Sequence, residues 1–108
     1  MFNESSIISV IGLGYVGLPT ALVIANRGYT VIGVDTNAKV ISQISRGQVP
    51  LFEPDLDLIL KNTIKSYKFS VSLEPQPADV FIISVPTPFK KNKVPDLIKD
   101  SVIYSLDM

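Results

Sequence analysis

Short apolar runs alternate with stretches of helical periodicity along this chain, and the alternation predicts its elements in order. Ile7–Ile11 is a β-branched run that stops at Gly12, which reads as a buried strand. After it, Val16, Thr20, Val23, Ile24 and Arg27 recur on one helical face, with Ala21 and Ala25 adding propensity. Pro19 suits that helix if it starts near Tyr15, because the N–H groups of a first turn have no intrahelical partner; Gly28 is the natural stop. Thr30–Val34 is a second β-branched run, ending at Asp35. A second helix, capped by Thr36 or Asn37, turns Val40, Ile41 and Ile44 inward and closes at Gly47. A third begins at Pro54, with Asp55 and Asp57 at the positive end of its dipole and Lys61 and Lys65 at the negative end. Its apolar stripe is Leu56, Ile59, Leu60 and Ile64. Residues 69–73 and 80–85 read as third and fourth strands, and Asp96 as the cap of a last helix with Ile98, Val102 and Leu106 on one side.

Strand, helix, strand, two helices, strand, strand, helix is the pattern of an α/β protein. Its first crossover demands a parallel, right-handed unit. The expected sheet is doubly wound, in the order 3-2-1-4 with helices on both faces, and stops after about four strands. Residues 80–85 would then form an apolar edge with unpaired backbone groups, so two copies are expected to associate as a homodimer around this edge or its flanking helix.

Between the first strand and the first helix stands Gly12-Leu13-Gly14-Tyr15-Val16-Gly17, a G-x-G-x-x-G string. Alone the string is weak; placed after a strand and at the opening of a helix it is the dinucleotide-binding fingerprint of a Rossmann-type sheet. Gly12 permits the tight turn, Gly14 leaves the backbone open to a diphosphate, and Gly17 lets the helix lie close to the strand. The amides of Tyr15 and Val16 face the same diphosphate, and the helix start offers a partial positive charge. Asp35, ending the second strand, would accept hydrogen bonds from the adenosine ribose and repel a 2′-phosphate, which favours NAD over NADP. The bland alternative is a glycine turn without a ligand and an Asp that caps the next helix.

Composition narrows the chemistry. The 108 residues make about one small domain, 46% hydrophobic and 19% charged, with ten basic and ten acidic residues that cancel. That balance gives no general attraction for nucleic acid or an anionic membrane. With no Cys and no His in the sequence, a disulfide framework, a structural zinc site and imidazole acid–base chemistry are excluded for these residues. The apolar runs are too short to span a bilayer and residues 1–6 lack the pattern of a signal peptide, so the expected location is cytoplasmic. No metal site and no catalytic group is expected: Asp55 and Asp57 point to different helix faces, and Lys90, Lys91 and Lys93 read as a solvated basic loop.

Extended to Gly12-Leu13-Gly14-Tyr15-Val16-Gly17-Leu18-Pro19, the glycine string resembles the start of the UDP-glucose/GDP-mannose dehydrogenase family. Val85-Pro86-Thr87-Pro88-Phe89, followed by Pro95-Asp96-Leu97, is most similar to its UDP-N-acetyl-D-mannosamine dehydrogenase branch, and Arg46-Gly47 and Glu53-Pro54-Asp55-Leu56 fit the same pattern. The resemblance implies that Tyr15, Val16, Asp35 and Thr87 contact NAD. Thr87 also has a physical case, since ligands bind beyond the carboxyl ends of parallel strands; the other reading makes it part of a proline-rich strand terminator. Thr36, beside the acid, and Val85 and Pro86, beside Thr87, complete the expected cofactor set. Relatives often carry a basic residue five positions after the acid, where this chain has Val40; Lys39 is offset by one and reads as surface.

By the same resemblance, the whole enzyme oxidises a sugar C6 alcohol to a carboxylate in two steps with two NAD. A cysteine holds the aldehyde as a thiohemiacetal and then the acid as a thioester. These residues contain no cysteine, and the central helix and UDP-sugar domain of the family are absent from them. Residues 1–108 are therefore expected to be a partial N-terminal NAD-binding domain, inactive alone, which meets UDP-sugar only in a full-length enzyme. The competing readings are a non-catalytic nucleotide-sensing module and the start of another NAD-dependent dehydrogenase, such as the 3-hydroxyacyl-CoA or 6-phosphogluconate type.

Overall fold

The computed structural model describes residues 5–14, 16–49, 54–84 and 102–105. In chain order they form β1 (Ile7–Ile11), α1 (Gly17–Asn26), β2 (Thr30–Val34), α2 (Ala38–Ser45), α3 (Pro54–Lys65), β3 (Phe69–Ser72), β4 (Val80–Ile83) and β5 (Val102–Ser105). All strand pairings are parallel, and the sheet runs β3-β2-β1-β4-β5. The first four strands thus take the expected order, in which β1 and β4 flank the point where the chain reverses its direction of winding.

The fifth strand corrects the expected last helix. Val102 pairs with Val80 and Tyr104 with Ile82, so Val102 lies in the ladder and not on a helical face shared with Leu106. Val102-Ile103-Tyr104 is a β-branched and aromatic triplet, and a strand there satisfies the backbone groups of β4 that a helix would leave open. The other residues of that expected helix, Asp96, Ile98 and Leu106, lie outside the described residues. β4 is accordingly an interior strand, which removes the open edge on which the expected homodimer rested.

Ile8, Val10, Val31, Phe69 and Val80 form one face of the sheet, and Leu18, Ala21, Leu22, Ala25, Ile44 and Leu60 cover it from the three helices. The other face carries Ile11, Val34 and Phe81. Helices are expected on both faces; among the described residues α1, α2 and α3 all pack on the first.

The buried stripe of α1 also differs from the expected one. Leu18, Ala21, Leu22 and Ala25 are buried, whereas Val23 is 60% exposed and Val16 stands at the rim. The spacing 18-21-22-25 is as helical as 16-20-23-24-27, and close approach of the helix selects the stripe that contains two alanines. In α3 the expected Ile59 is exposed, and Thr63 is buried in its place. Asn26 Nδ2 donates to Thr63 Oγ1 at 3.0 Å and to the Leu22 carbonyl at 2.9 Å, and Thr63 Oγ1 donates to the Ile59 carbonyl at 2.6 Å. This pair joins α1 to α3 with both side chains partnered, so burial of the hydroxyl is offset.

Caps fall where the sequence predicts. Asn37 Oδ1 accepts from the Lys39 and Val40 amides, and Gly47 ends the second helical segment at φ 79°. Asp57 does more than face a dipole: its Oδ1 accepts from the Val49 amide at 2.7 Å and ties the connection after α2 to α3. No helix among the described residues is long and apolar enough to cross a membrane.

Candidate dinucleotide site

The carboxyl ends of β1, β2 and β4 meet around the glycine turn. The Gly12 amide donates to the Val34 carbonyl at 2.7 Å, and the Ser84 amide to the Ile11 carbonyl at 2.7 Å. Gly12 has φ 96°, in the left-handed region that disfavours a side chain, so the chain reverses there at little cost. Leu13 is buried beneath the turn, and its Cδ atoms lie 3.0 Å from where a Cβ on Gly33 would sit. Gly33 in β2 thereby makes room for Leu13, which pins the turn to the sheet.

Gly17 opens α1 against this turn. A Cβ there would lie 1.7 Å from the Gly12 carbonyl oxygen and 3.4 Å from Ser84 Cβ. A Cβ on Gly14 would meet nothing within 4 Å. The two glycines therefore serve opposite purposes: one lets helix and strand touch, the other leaves a space open. That space lies at the start of α1, where Val16 makes no side-chain cap. Among the described residues no side chain caps this helix start, which is the condition for an anion to use its free amides. Pro19, in this first turn, removes an N–H that the helix does not need.

Asp35 follows β2 and is half-buried. Its Oδ2 accepts from the Leu13 amide at 3.0 Å and its Oδ1 from the Asn37 amide at 2.9 Å. One carboxylate thus joins the glycine turn to the turn before α2. Each oxygen can accept further hydrogen bonds, so the group is held in place while retaining capacity for a ligand diol. The Leu13 contact was not legible in the sequence, because it uses a backbone amide and carries no residue-type signal.

Of the residues predicted to bind the cofactor, Gly12, Gly14, Val16, Gly17 and Asp35 are brought together by this turn, and Thr36 stands exposed beside Asp35. Tyr15, Val85, Pro86 and Thr87 lie outside the described residues, as do Lys90, Lys91 and Lys93. Sequence reasoning missed the Leu13 and Asn37 amides as the donors that hold Asp35, and Ser84, which is buried against Gly17. The only sequence signal for any of them is Asp35 itself, because an aspartate side chain commonly accepts from the backbone amide two positions on.

The fit to a dinucleotide rests on the open space at Gly14 and the fixed carboxylate one strand away. Comparison with known proteins agrees. At 50% identity over 90 residues, the chain matches an NDP-N-acetyl-D-galactosaminuronic acid dehydrogenase of Ralstonia nicotianae, covering 83% of this chain and 21% of the relative. It is likewise 50% identical over 91 residues to a UDP-N-acetyl-D-mannosamine dehydrogenase of Yersinia pestis, covering 84% of this chain and 22% of that protein. A solved UDP-N-acetyl-mannosamine dehydrogenase from S. aureus superposes with a TM-score of 0.82 at 31% identity, over 93% of this chain and 28% of that one. The chain spans about a fifth of the length of the curated relatives it matches. The model of the UDP-glucose/GDP-mannose dehydrogenase family, NAD binding domain, matches residues 6–105, and the chain belongs to that family as its NAD-binding domain.

Proposed function

We propose that this domain binds NAD for a nucleotide-sugar 6-dehydrogenase that converts UDP-N-acetylmannosamine to UDP-N-acetylmannosaminuronate, with two NAD per turnover of the full-length enzyme. The observation that carries the reading is the open space at Gly14, facing an uncapped helix start with Asp35 one strand over. The choice of sugar is supported by relatives of Yersinia pestis and Escherichia coli, 50% and 47% identical, that are named UDP-N-acetyl-D-mannosamine dehydrogenases. The Ralstonia relative is named for an N-acetylgalactosaminuronic acid, so an acetamido sugar is the common denominator.

When bound, NAD supplies the hydride acceptor. This chain's part is to bind and orient it. The Gly14 backbone and the α1 amides receive the diphosphate, with Gly12, Tyr15, Val16 and Gly17 forming the cradle. Asp35, with Thr36 beside it, accepts from the ribose hydroxyls, and Val85, Pro86 and Thr87 are the further residues assigned to cofactor binding in this proposal. A charge-assisted hydrogen bond to a ribose hydroxyl contributes about 1.5–3 kcal/mol. Alone, the chain is proposed to be without turnover, since the chemistry of this family runs through a cysteine and the 108 residues hold none. The same reading sets the reaction in the cytoplasm, with the nucleotide cofactor pool.

Titration calorimetry with NAD, NADP and UDP-N-acetylmannosamine tests the reading. NAD should bind, NADP more weakly, and the UDP-sugar not at all. Tighter binding of NADP than of NAD would overturn the role given to Asp35, and absence of NAD binding would overturn the whole assignment.

A further inference from the structure

Two of the large apolar side chains exposed on the described surface stand at the carboxyl edge of the sheet: Val16, in the glycine turn, and Leu73, just past the end of β3. Others lie elsewhere, with Val23 on α1, Leu58 and Ile59 on α3, and Tyr67 ahead of β3. A single exposed leucine is ordinary on a protein surface. Leu73 is distinguished by its place. The Asp35 amide donates to the Ser72 carbonyl at 3.2 Å, so the peptide that begins Leu73 is bonded to the residue that takes the ribose.

The strand order then sets the course of the ligand. Moving outward, the edge presents β1 with the glycine turn, β2 with Asp35 and β3 with Leu73. A nucleotide whose diphosphate lies at the turn and whose ribose reaches Asp35 has advanced one strand spacing, about 4.8 Å. Its base, one further step along, arrives over the end of β3. A purine ring is flat and largely apolar, and it gains from covering an exposed aliphatic side chain.

The turn that carries Leu73 is held in shape without any ligand. Ser72 Oγ accepts from the Glu74 amide at 3.2 Å and from Gln76 Nε2 at 3.3 Å, and it donates to the Glu74 carbonyl at 2.7 Å. Gln76 Nε2 donates to that carbonyl as well, at 3.3 Å. Leu73 is 47% exposed within this closed turn, so little ordering remains to be done when a ring covers it.

We propose that Leu73 is the apolar contact for the adenine ring of the dinucleotide, on the opposite side of Asp35 from the glycine turn. The inference rests on the NAD reading above. Its test titrates the unsubstituted chain, Leu73→Ser and Leu73→Met with NAD and ADP-ribose, and follows the emission of the ethenoadenine analogue of NAD as a probe of the base's surroundings. Leu73→Ser should weaken both ligands by about fivefold, as expected for losing part of one aliphatic contact. It should also shift the analogue's bound emission toward its value in water, while the melting temperature holds. Leu73→Met should restore affinity. Equal affinity and emission in all three proteins overturn this inference alone; loss of affinity together with a fallen melting temperature assigns Leu73 to the fold and also overturns it. No NAD binding by the unsubstituted chain overturns both readings.

Discussion

Gly17 and the carbonyl oxygen of Gly12 approach so closely that a Cβ on Gly17 would stand 1.7 Å from that oxygen. The contact joins the first turn of α1 to the end of β1, and both partners are backbone. Neither can swing aside as a side chain would. Gly17→Ala therefore forces the helix off the strand and should destabilise the domain by about 1–3 kcal/mol or more, the usual cost of overpacking. Denaturant unfolding measures it. NAD binding should fall with stability, because the helix start moves with the helix.

Gly14→Ala separates binding from folding. A Cβ there meets nothing within 4 Å, and Gly14 is not among the residues with positive φ. Stability should change by no more than about 0.5 kcal/mol, as at other open surface positions. The methyl group would instead occupy the space left for the diphosphate, and NAD affinity should drop by at least about tenfold. Calorimetry on a variant with an unchanged melting temperature checks this. Unaltered affinity would mean that the diphosphate does not lie at Gly14.

Asp35→Asn probes two roles at once. The carboxylate accepts from the Leu13 and Asn37 amides. An amide side chain keeps one acceptor and turns an NH₂ group toward the other donor, which should cost about 1–3 kcal/mol of stability. Removing the negative charge also removes repulsion of a 2′-phosphate. The ratio of NADP to NAD dissociation constants should therefore fall by about tenfold or more, with NAD itself bound more weakly. A lower melting temperature with an unchanged ratio would leave Asp35 only its structural role.

What the sequence made legible follows from how local each feature is. Gly12, Gly14, Gly17 and Asp35 sit at fixed offsets within one strand-turn-helix-strand unit, so spacing in that context marks them as candidates. Asn37 and Gly47 act on their own helix and were equally readable. The stripe of α1 was misassigned because two helical faces of that segment are apolar, and the choice between them is made by close packing on the sheet. Ile59 was misplaced for a related reason: the polar pair Asn26–Thr63 draws Thr63 into the α1–α3 contact, and a threonine carries no apolar signal. At residues 102–105 a three-to-four spacing suggested a helix, whereas a long-range ladder with β4 decided for a strand. The bond from Leu13 to Asp35 spans 22 positions and uses a main-chain donor, so no residue pattern could announce it.

Tyr67 takes φ 61° directly after α3, where its amide donates to the Ile64 carbonyl at 3.1 Å. It is 93% exposed, so its ring contributes little packing to offset a left-handed backbone. Glycine adopts that conformation without a Cβ penalty and is the usual residue past a helix end. Tyr67→Gly should raise stability by about 1 kcal/mol, the approximate cost of a left-handed conformation for an L-residue. Thermal unfolding checks the sign. A lower melting temperature would show that the ring contributes to the fold.

Ser9 lies in the middle of β1 between Ile32 and Phe81, fully buried, and among the described residues its Oγ has no hydrogen-bond partner. A hydroxyl taken from water without a replacement bond costs about 1–3 kcal/mol. Ser9→Ala removes the oxygen and keeps the Cβ, leaving a void smaller than a methyl group. The gain from removing an unsatisfied donor should exceed the loss of its few dispersion contacts, and stability should rise by about 1 kcal/mol. Ser9 faces away from the buried stripes of the helices, on the side of Ile11, Val34 and Phe81, so the glycine turn and NAD affinity should be unaffected. Destabilisation by Ser9→Ala in denaturant unfolding would show that the hydroxyl is satisfied in solution, with a buried water as the simplest partner.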